Sequence, residues 1–160
     1  MRRFAWAFFI VNLMGQTTYF LYPAAPPWYV LKHGTGPANL EIPSDPARLS
    51  AVDDYLGITY FSSIYSRSTN VFGALPSLHA AYPLLVWITT RTEFPKFHWF
   101  FLALAILTGF AAVYLCHHYV IDVLLGACYA VIAYFCVGVV CDEIEERDEN
   151  HSWCKPDWLK

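Results

Sequence analysis

Long apolar runs separated by short polar turns dominate the chain. Four of them are expected to cross a membrane as helices: residues 4–22, 76–90, 97–115 and 119–141. The yardstick is a hydrocarbon core of ~30 Å, crossed by ~20 helical residues at a rise of ~1.5 Å each. The second run is the short one, since about fifteen residues supply only ~22 Å. It needs shielding by protein, extension at its ends or local thinning of the bilayer. The pattern predicts an all-α, polytopic membrane helix bundle of about four spans, with residues 1–160 forming a single membrane-embedded domain.

Residues 23–75 form the longest stretch between spans and open on the proline-rich run YPAAPPWY, followed by turn signals in KHGTGP and EIPSDP. A loop of this length usually has structure or work of its own, and ARLSAVDDYLGITYFSSIY is expected to fold into one or two interfacial helices. The YPAAPPWY run is expected to end the first span, to seat Trp28 and Tyr29 in an interfacial aromatic belt and to wall a lipid entrance. Gly109, Gly126 and Gly138 fall inside spans, where they permit close helix packing.

Composition agrees with this pattern. The chain is 57% hydrophobic and only 14% charged, too apolar for an ordinary soluble core. Its formal charge of -3 offers no basic surface for nucleic acid, which is excluded as a partner. Arg2 and Arg3 precede the first span, and Arg91 and Lys96 lie in the turn between the second and third, so the positive-inside rule puts both on the cytoplasmic side. Residues 23–75 then face outward, and the acidic tail 142–160 returns to the cytoplasm as a short solvated helix and frayed end. The first span carries no small-residue cleavage box and reads as retained. The five cysteines form no C-x-x-C pair. Most of them read as small apolar side chains, and the odd count argues against a disulfide framework.

Candidate chemistry sits at two helix ends. His79 stands at the mouth of the second span, just after Pro76 and Ser77. His118 and Asp122 open the fourth, four residues apart and therefore on one helical face. A carboxylate heading a membrane helix is costly unless paired, and His118 is its natural partner. The second span runs inward and the third outward, so His79 and His118 meet at one level on the outer face. Two histidines and a carboxylate supply a nucleophile, an acid and an orienting group. Pro76 suits the first turn of a helix, and Ser77 with the neighbouring free N–H groups is expected to face phosphate.

These residues bear a family likeness. Pro76-Ser77-Leu78-His79 resembles the P-S-G-H motif of the phosphatidic acid phosphatase type 2 (PAP2) superfamily, and His118 with Asp122 resembles the H-x3-D end of its third motif. The wording FGALPSLHAAYP with YLCHHYVIDVLLG is most similar to the inositolphosphotransferase branch, the inositol phosphorylceramide synthases. The departures are specific. Leucine replaces the motif glycine, Ala111 and Ala112 stand where the phosphatases carry Ser-Arg, and the K-x6-R-P motif overlays only Gly15 to Pro23, with Tyr22 in the arginine place.

The resemblance implies an enzyme in which His118 attacks a lipid phosphodiester while Asp122 accepts its other ring N–H. His79 protonates the departing alcohol and then acts as base toward a ceramide-like hydroxyl, transferring phospho-inositol or a related head group through a phosphohistidine. It implies no cofactor and no metal. Ser77, Arg67 and His117 are the candidate substrate- and phosphate-binding residues, with Lys32 and Arg48 as further cations. His117 reads equally as a satisfied interfacial histidine, and His33, His98 and His151 as surface residues. Members of the family usually have six spans, so the chain resembles their catalytic C-terminal two thirds, and the remainder is either missing or supplied by an oligomer or partner chain. The alternatives are a lipid phosphate phosphatase and a non-catalytic lipid-binding subunit.

Overall fold

The computed structural model describes residues 2–68 and 70–147. Among them seven α-helices follow in order: α1 (Arg2–Leu21), α2 (Pro27–His33), α3 (Ser50–Leu56), α4 (Tyr60–Tyr65), α5 (Leu78–Thr90), α6 (His98–Tyr114) and α7 (Val120–Arg147). Short 3-10 turns, Ala47–Leu49 and Pro95–Phe97, lead into α3 and α6. The all-α membrane bundle expected from the apolar runs is what forms.

Three of the four expected spans are helices long enough to cross on their own. The segments long and apolar enough to cross a membrane are Arg2–Leu21, Pro95–Tyr114 and Val120–Glu143. The remaining run becomes α5, whose 13 residues reach about 20 Å. It is sheathed by protein, packing against α1, α6 and α7, with Ala81 and Leu85 fully buried. At the far end of the chain α7 continues through Arg147, so the first part of the expected tail belongs to the last helix. The rest of the tail, with His151, lies outside the described residues.

Small side chains form the inside of the bundle and large ones its outside. The core joins Ala7, Val11, Ala81, Ala130 and Ala133, all at zero exposure, to Leu85 and Val137. Phe9 and Phe20 on α1, Leu107 and Phe110 on α6, and Phe135 and Val139 on α7 project outward. In lipid no hydrophobic force draws helices together, so association rests on close backbone approach across small residues and on polar ties. Two such ties are Thr18 Oγ1 to the Tyr129 hydroxyl at 2.9 Å and the Tyr82 hydroxyl donating to Asn12 Oδ1 at 2.7 Å. At one end of the bundle Arg3 pairs with Asp142 at 2.5 Å. At the other end the Tyr19 hydroxyl donates to the Pro76 carbonyl.

The segment between α1 and α5 is an ordered lobe. Trp28, Tyr29 and Val71 make its core, with Phe72 and Cys116 packed against them. Trp28 and Tyr29 are therefore buried, at 5% and 4% exposure, and do not form the expected interfacial belt. Their rings pack on the lobe because the backbone of the proline run is stitched into it. Ala24 N–H donates to Phe72 O at 2.8 Å, Ala74 N–H to Ala24 O at 3.2 Å, and Trp28 N–H to Cys116 O at 3.0 Å. The expected interfacial helices appear as α3 and α4, joined through Gly57 at φ 66°, a left-handed conformation that glycine adopts without a Cβ penalty. Cys116, Cys128 and Cys136 are free thiols, whereas Cys141 is disulfide-bonded and packs in the apolar core.

The α3–α4 corner turns on one carboxylate. Asp53 is buried and accepts from Phe61 N–H at 3.1 Å, Ser62 N–H at 2.8 Å and the Ser62 hydroxyl at 2.8 Å. Burial works to raise its pKa, and these hydrogen bonds outweigh it, holding the carboxyl below the usual range. Asp53→Ala orphans both amides at the start of α4. The expected outcome is faster limited proteolysis between Gly57 and Ser66 with an unchanged thermal midpoint for the helix bundle. Unaltered cleavage of that segment would show that Asp53 does not hold the corner.

Candidate active site

The two histidine-bearing helix ends are brought together by backbone packing. The start of α5 is seated on α7, where Ser77 N–H donates to the Asp122 carbonyl at 2.8 Å. A Cβ built on Gly126 would lie 2.1 Å from the Ser77 carbonyl oxygen. Only glycine permits this approach. Gly138, the other α7 glycine read as a packing residue, faces open space.

The end of α6 is turned sharply at Cys116, which adopts φ 62°. There the His117 and His118 N–H groups both donate to the Ala112 carbonyl, at 3.1 and 3.0 Å. His117 and His118 therefore sit in the connection, and α7 begins at Val120. This corrects the reading of His118 and Asp122 as one face of one helix. Asp122 lies in the first turn of α7, where its Oδ2 accepts Tyr119 N–H at 2.7 Å, satisfying a helix-start donor.

His79 Nδ1 faces His118 Nε2 at 3.1 Å. His118 Nδ1 lies 2.7 Å from the Ala74 carbonyl oxygen. A carbonyl only accepts, so Nδ1 carries the ring proton and Nε2 presents its lone pair to the Nδ1–H of His79. Asp122 Oδ2 stands 3.7 Å from His118 Nδ1, within ion-pair range but beyond a hydrogen bond. The expected Asp122 acceptor role is thus taken by the Ala74 backbone, and the carboxylate acts on His118 through charge. Ala74 is held by its pairing to Ala24, which gives the YPAAPPWY run a positioning task.

His118 and Asp122 are buried, at 5% and 2% exposure, while His79 is open to a cavity of about 330 Å³ that is also lined by Trp28, Ser44, Ser68, Asn70, His117 and His118. Burial, with the nearby His79 charge second, pushes the His118 pKa down from 6.5 to about 4. The ring is neutral near pH 7 and its lone pair is available. Burial and then His79 lower His117 as well, against the opposing charge of Asp45.

The other expected site residues fall unevenly. His117 reaches the cavity and stacks on Tyr65, with centroids 4.9 Å apart and planes at 15°. Ser77 is at zero exposure against α7, and its N–H is already engaged. It is not among the cavity-lining residues, so it does not present itself to phosphate as expected. Pro76 precedes the N-cap Ser77 and stands outside the first turn of α5. Arg67 is exposed and not part of the lining, although Tyr65 and Ser68 on either side of it are. Lys32 pairs with Asp45 at 2.6 Å, and Arg48 donates to the Tyr114 carbonyl at 3.0 Å. The features missed from sequence are the Ala74 carbonyl, Tyr65, Asn70 and Tyr19. A backbone acceptor leaves no trace in residue type, and the sole cue to α7 seating was a glycine one turn beyond Asp122. Among the described residues no group of three or more His, Cys, Asp or Glu is disposed to hold a metal ion.

Comparison with known proteins gives the class that this fold and site define. The model of the PAP2 superfamily matches residues 1–136, and the chain belongs to that superfamily. It is 44% identical over 136 residues to a phosphoinositol dihydroceramide synthase of Bacteroides thetaiotaomicron, covering 82% of this chain and 44% of that protein. It is 35% identical over 127 residues to an inositol phosphorylceramide synthase of Candida albicans, covering 79% of this chain and 27% of that protein. A catalytic subunit of inositol phosphorylceramide synthase from Schizosaccharomyces pombe is 33% identical over 131 residues, covering 81% of this chain and 31% of that protein. The chain thus spans less than half the length of each of these relatives. No solved structure matches it.

Two measurements test the assembly of the site. In Gly126→Ala the Ser77 backbone has to retreat by about 1 Å to reach an ordinary contact of about 3.3 Å. Turnover is then expected to fall ~100-fold through misplacement of His79, although alanine is the better helix former. Turnover within a few-fold of the parent would refute this. The second measurement uses the lowered His118 pKa: between 6.5 and about 4 the unfolded chain binds the proton that the folded ring refuses. Stability is therefore complete above the unfolded value and lost as pH falls through that window. Thermal melts in detergent should show a smaller acid slope in His118→Asn than in the parent, and equal slopes would contradict the assignment.

Proposed function

We propose that the chain is the catalytic core of a membrane lipid phosphotransferase, moving phospho-inositol or a related phospho-head group from a phospholipid to a lipid hydroxyl. The observation that supports it most is the oriented pair of histidines: a neutral, buried His118 with a free Nε2 lone pair, 3.1 Å from the Nδ1–H of His79. The names of the relatives supply the substrate class.

His118 Nε2 attacks phosphorus, a P–N bond forms, and the P–O bond to the departing alcohol breaks as His79 delivers its proton to that oxygen. An acceptor hydroxyl then attacks phosphorus, its proton passes to His79, and the P–N bond breaks. The positive ring of the intermediate is favoured by Asp122 at 3.7 Å and by the Ala74 carbonyl at 2.7 Å. His117 and Asn70 line the space beside the pair and are suited to a polyol head group. Arg67 is the candidate cation for the phosphate, because Lys32 and Arg48 are both engaged elsewhere. Ala112, where the phosphatases carry arginine, disfavours simple monoester hydrolysis. The positive-inside pattern of Arg2, Arg3, Arg91 and Lys96 supports an extracytoplasmic site, and the unmatched length of the relatives leaves room for further spans or a partner chain.

The test is incubation with labelled phosphatidylinositol with and without ceramide. An acceptor-dependent product is expected, reduced at least ~1000-fold in His118→Ala and ~100-fold in His79→Ala, with a trapped phosphoryl group mapping to His118. Phosphate release from a monoester without acceptor-dependent product would favour the phosphatase alternative. Full turnover in both variants would remove the catalytic assignment.

A further inference from the structure

Leu78, the first residue of α5 and the neighbour of His79, is packed into the side of α1. Its branched end sits over Gly15. A Cβ built on that glycine would lie 2.8 Å from Leu78 Cδ2 and 3.2 Å from both Cδ1 and Cγ. All three are closer than an ordinary carbon contact of about 3.5 Å, so turning one methyl aside brings the other in. Leu78 is 8% exposed and belongs to the bundle core with Val11, Ala81 and Leu85, a close-packed setting that gives it little room to step back.

Gly15 lies on the buried face of α1 with Ala7 and Val11, at intervals of four. Tyr19, one turn further along, donates to the Pro76 carbonyl at 2.7 Å. α1 thus grips the approach to His79 twice, the backbone at Pro76 and the side chain at Leu78. The two grips act differently. The Tyr19 bond and the Ser77–Asp122 bond fix where α5 begins, whereas a side chain seated off the axis resists twisting of its first turn. Successive helical residues point ~100° apart, so holding Leu78 against α1 also fixes the direction of His79.

We propose that Leu78 and Gly15 form a key and notch that sets the rotation of the first turn of α5, making both of them positioning residues for His79. Only the effect on turnover rests on the phosphotransfer reading above. A Cβ at Gly15 displaces the end of Leu78 by about 0.7 Å to restore an ordinary contact. With side-chain ends ~5.5 Å from the helix axis, that is a twist of about 7°, which carries the His79 ring through a similar distance. The 3.1 Å contact with His118, opened by ~0.7 Å, ceases to be a hydrogen bond. The ties to Tyr19 and Asp122 keep α5 from relieving the clash by moving off bodily. The leucine that departs from the P-S-G-H pattern is therefore matched by a vacancy on another helix.

Gly15→Ala, Leu78→Ala and the double variant, each as the full chain in detergent, test the pairing by two readouts. The first is the reactivity of His118 toward diethyl pyrocarbonate, which acylates a neutral imidazole lone pair, mapped by peptide mass spectrometry against the exposed His33. His79 covers the His118 lone pair in the parent. In Gly15→Ala the His118 rate is expected to rise at least ~5-fold, and in the double variant to match that of Leu78→Ala; an unchanged rate in Gly15→Ala would overturn the proposal. The second readout is acceptor-dependent turnover. Gly15→Ala is expected to lose ~30-fold in kcat with KM within about threefold, and the double variant to stay within a few-fold of Leu78→Ala alone. Losses that simply multiply would overturn the pairing. Should Gly15→Ala not fold, the comparison of the double variant with Leu78→Ala decides: near-equality supports the notch, and a further loss overturns it. Absence of acceptor-dependent product in the parent would count against the phosphotransfer reading and leave the pairing to the reactivity of His118.

Discussion

The seating of the Pro76–Ser77 backbone on the first turns of α7 is the contact from which the site follows. It consists of one hydrogen bond, from Ser77 N–H to the Asp122 carbonyl, and of a side chain that is missing, at Gly126. Together they fix the axial and lateral position of α5 against α7, and so decide where His79 stands relative to His118. Tyr19 adds a third point by binding the Pro76 carbonyl from α1. Backbone contacts of this kind suit a membrane protein, where polar groups have no water to fall back on and each satisfied pair also locates a helix. The small-residue core serves the same end, letting α1 and α7 close around a helix too short to span the bilayer unaided.

Around that contact, charge and hydrogen bonding are divided between groups. The Ala74 carbonyl sets the tautomer of His118, and Asp122 supplies negative charge while holding the start of its own helix. A carboxylate so engaged is fixed in place before any reaction begins. The lobe preceding α5 has a share in this, because the Ala24 pairing determines where Ala74 points. The proline run, which carries no reactive group, thereby acts on the chemistry through one backbone oxygen.

Much of this was legible in the sequence, for identifiable reasons. Apolar runs report helices directly, and a histidine or aspartate at a membrane helix end stands out because burial there is costly. His79, His118 and Asp122 were singled out for that reason, and the fold brings the two histidines within 3.1 Å of each other. What escaped was set by tertiary contact. Trp28 and Tyr29 look like interfacial anchors until the lobe closes over them. Ser77 looks like a phosphate ligand until α7 covers it. Arg67 lies beside lining residues without joining them, and the sheathing of the short α5 by α1, α6 and α7 appears only in the packing. The sharp turn at Cys116 also has no strong residue signature, and it moves His118 off the helix to which its spacing to Asp122 assigned it.

The direct bond between the two histidines has a consequence for affinity. In the proposed reaction the nucleophile at rest already has a ligand, the imidazole that would later serve as its acid, and 3.1 Å leaves no room for a phosphoryl group between them. A substrate of that reaction would then be a displacer before it is a reactant. A net hydrogen bond of about 1 kcal/mol corresponds to a self-occlusion of less than about tenfold in binding.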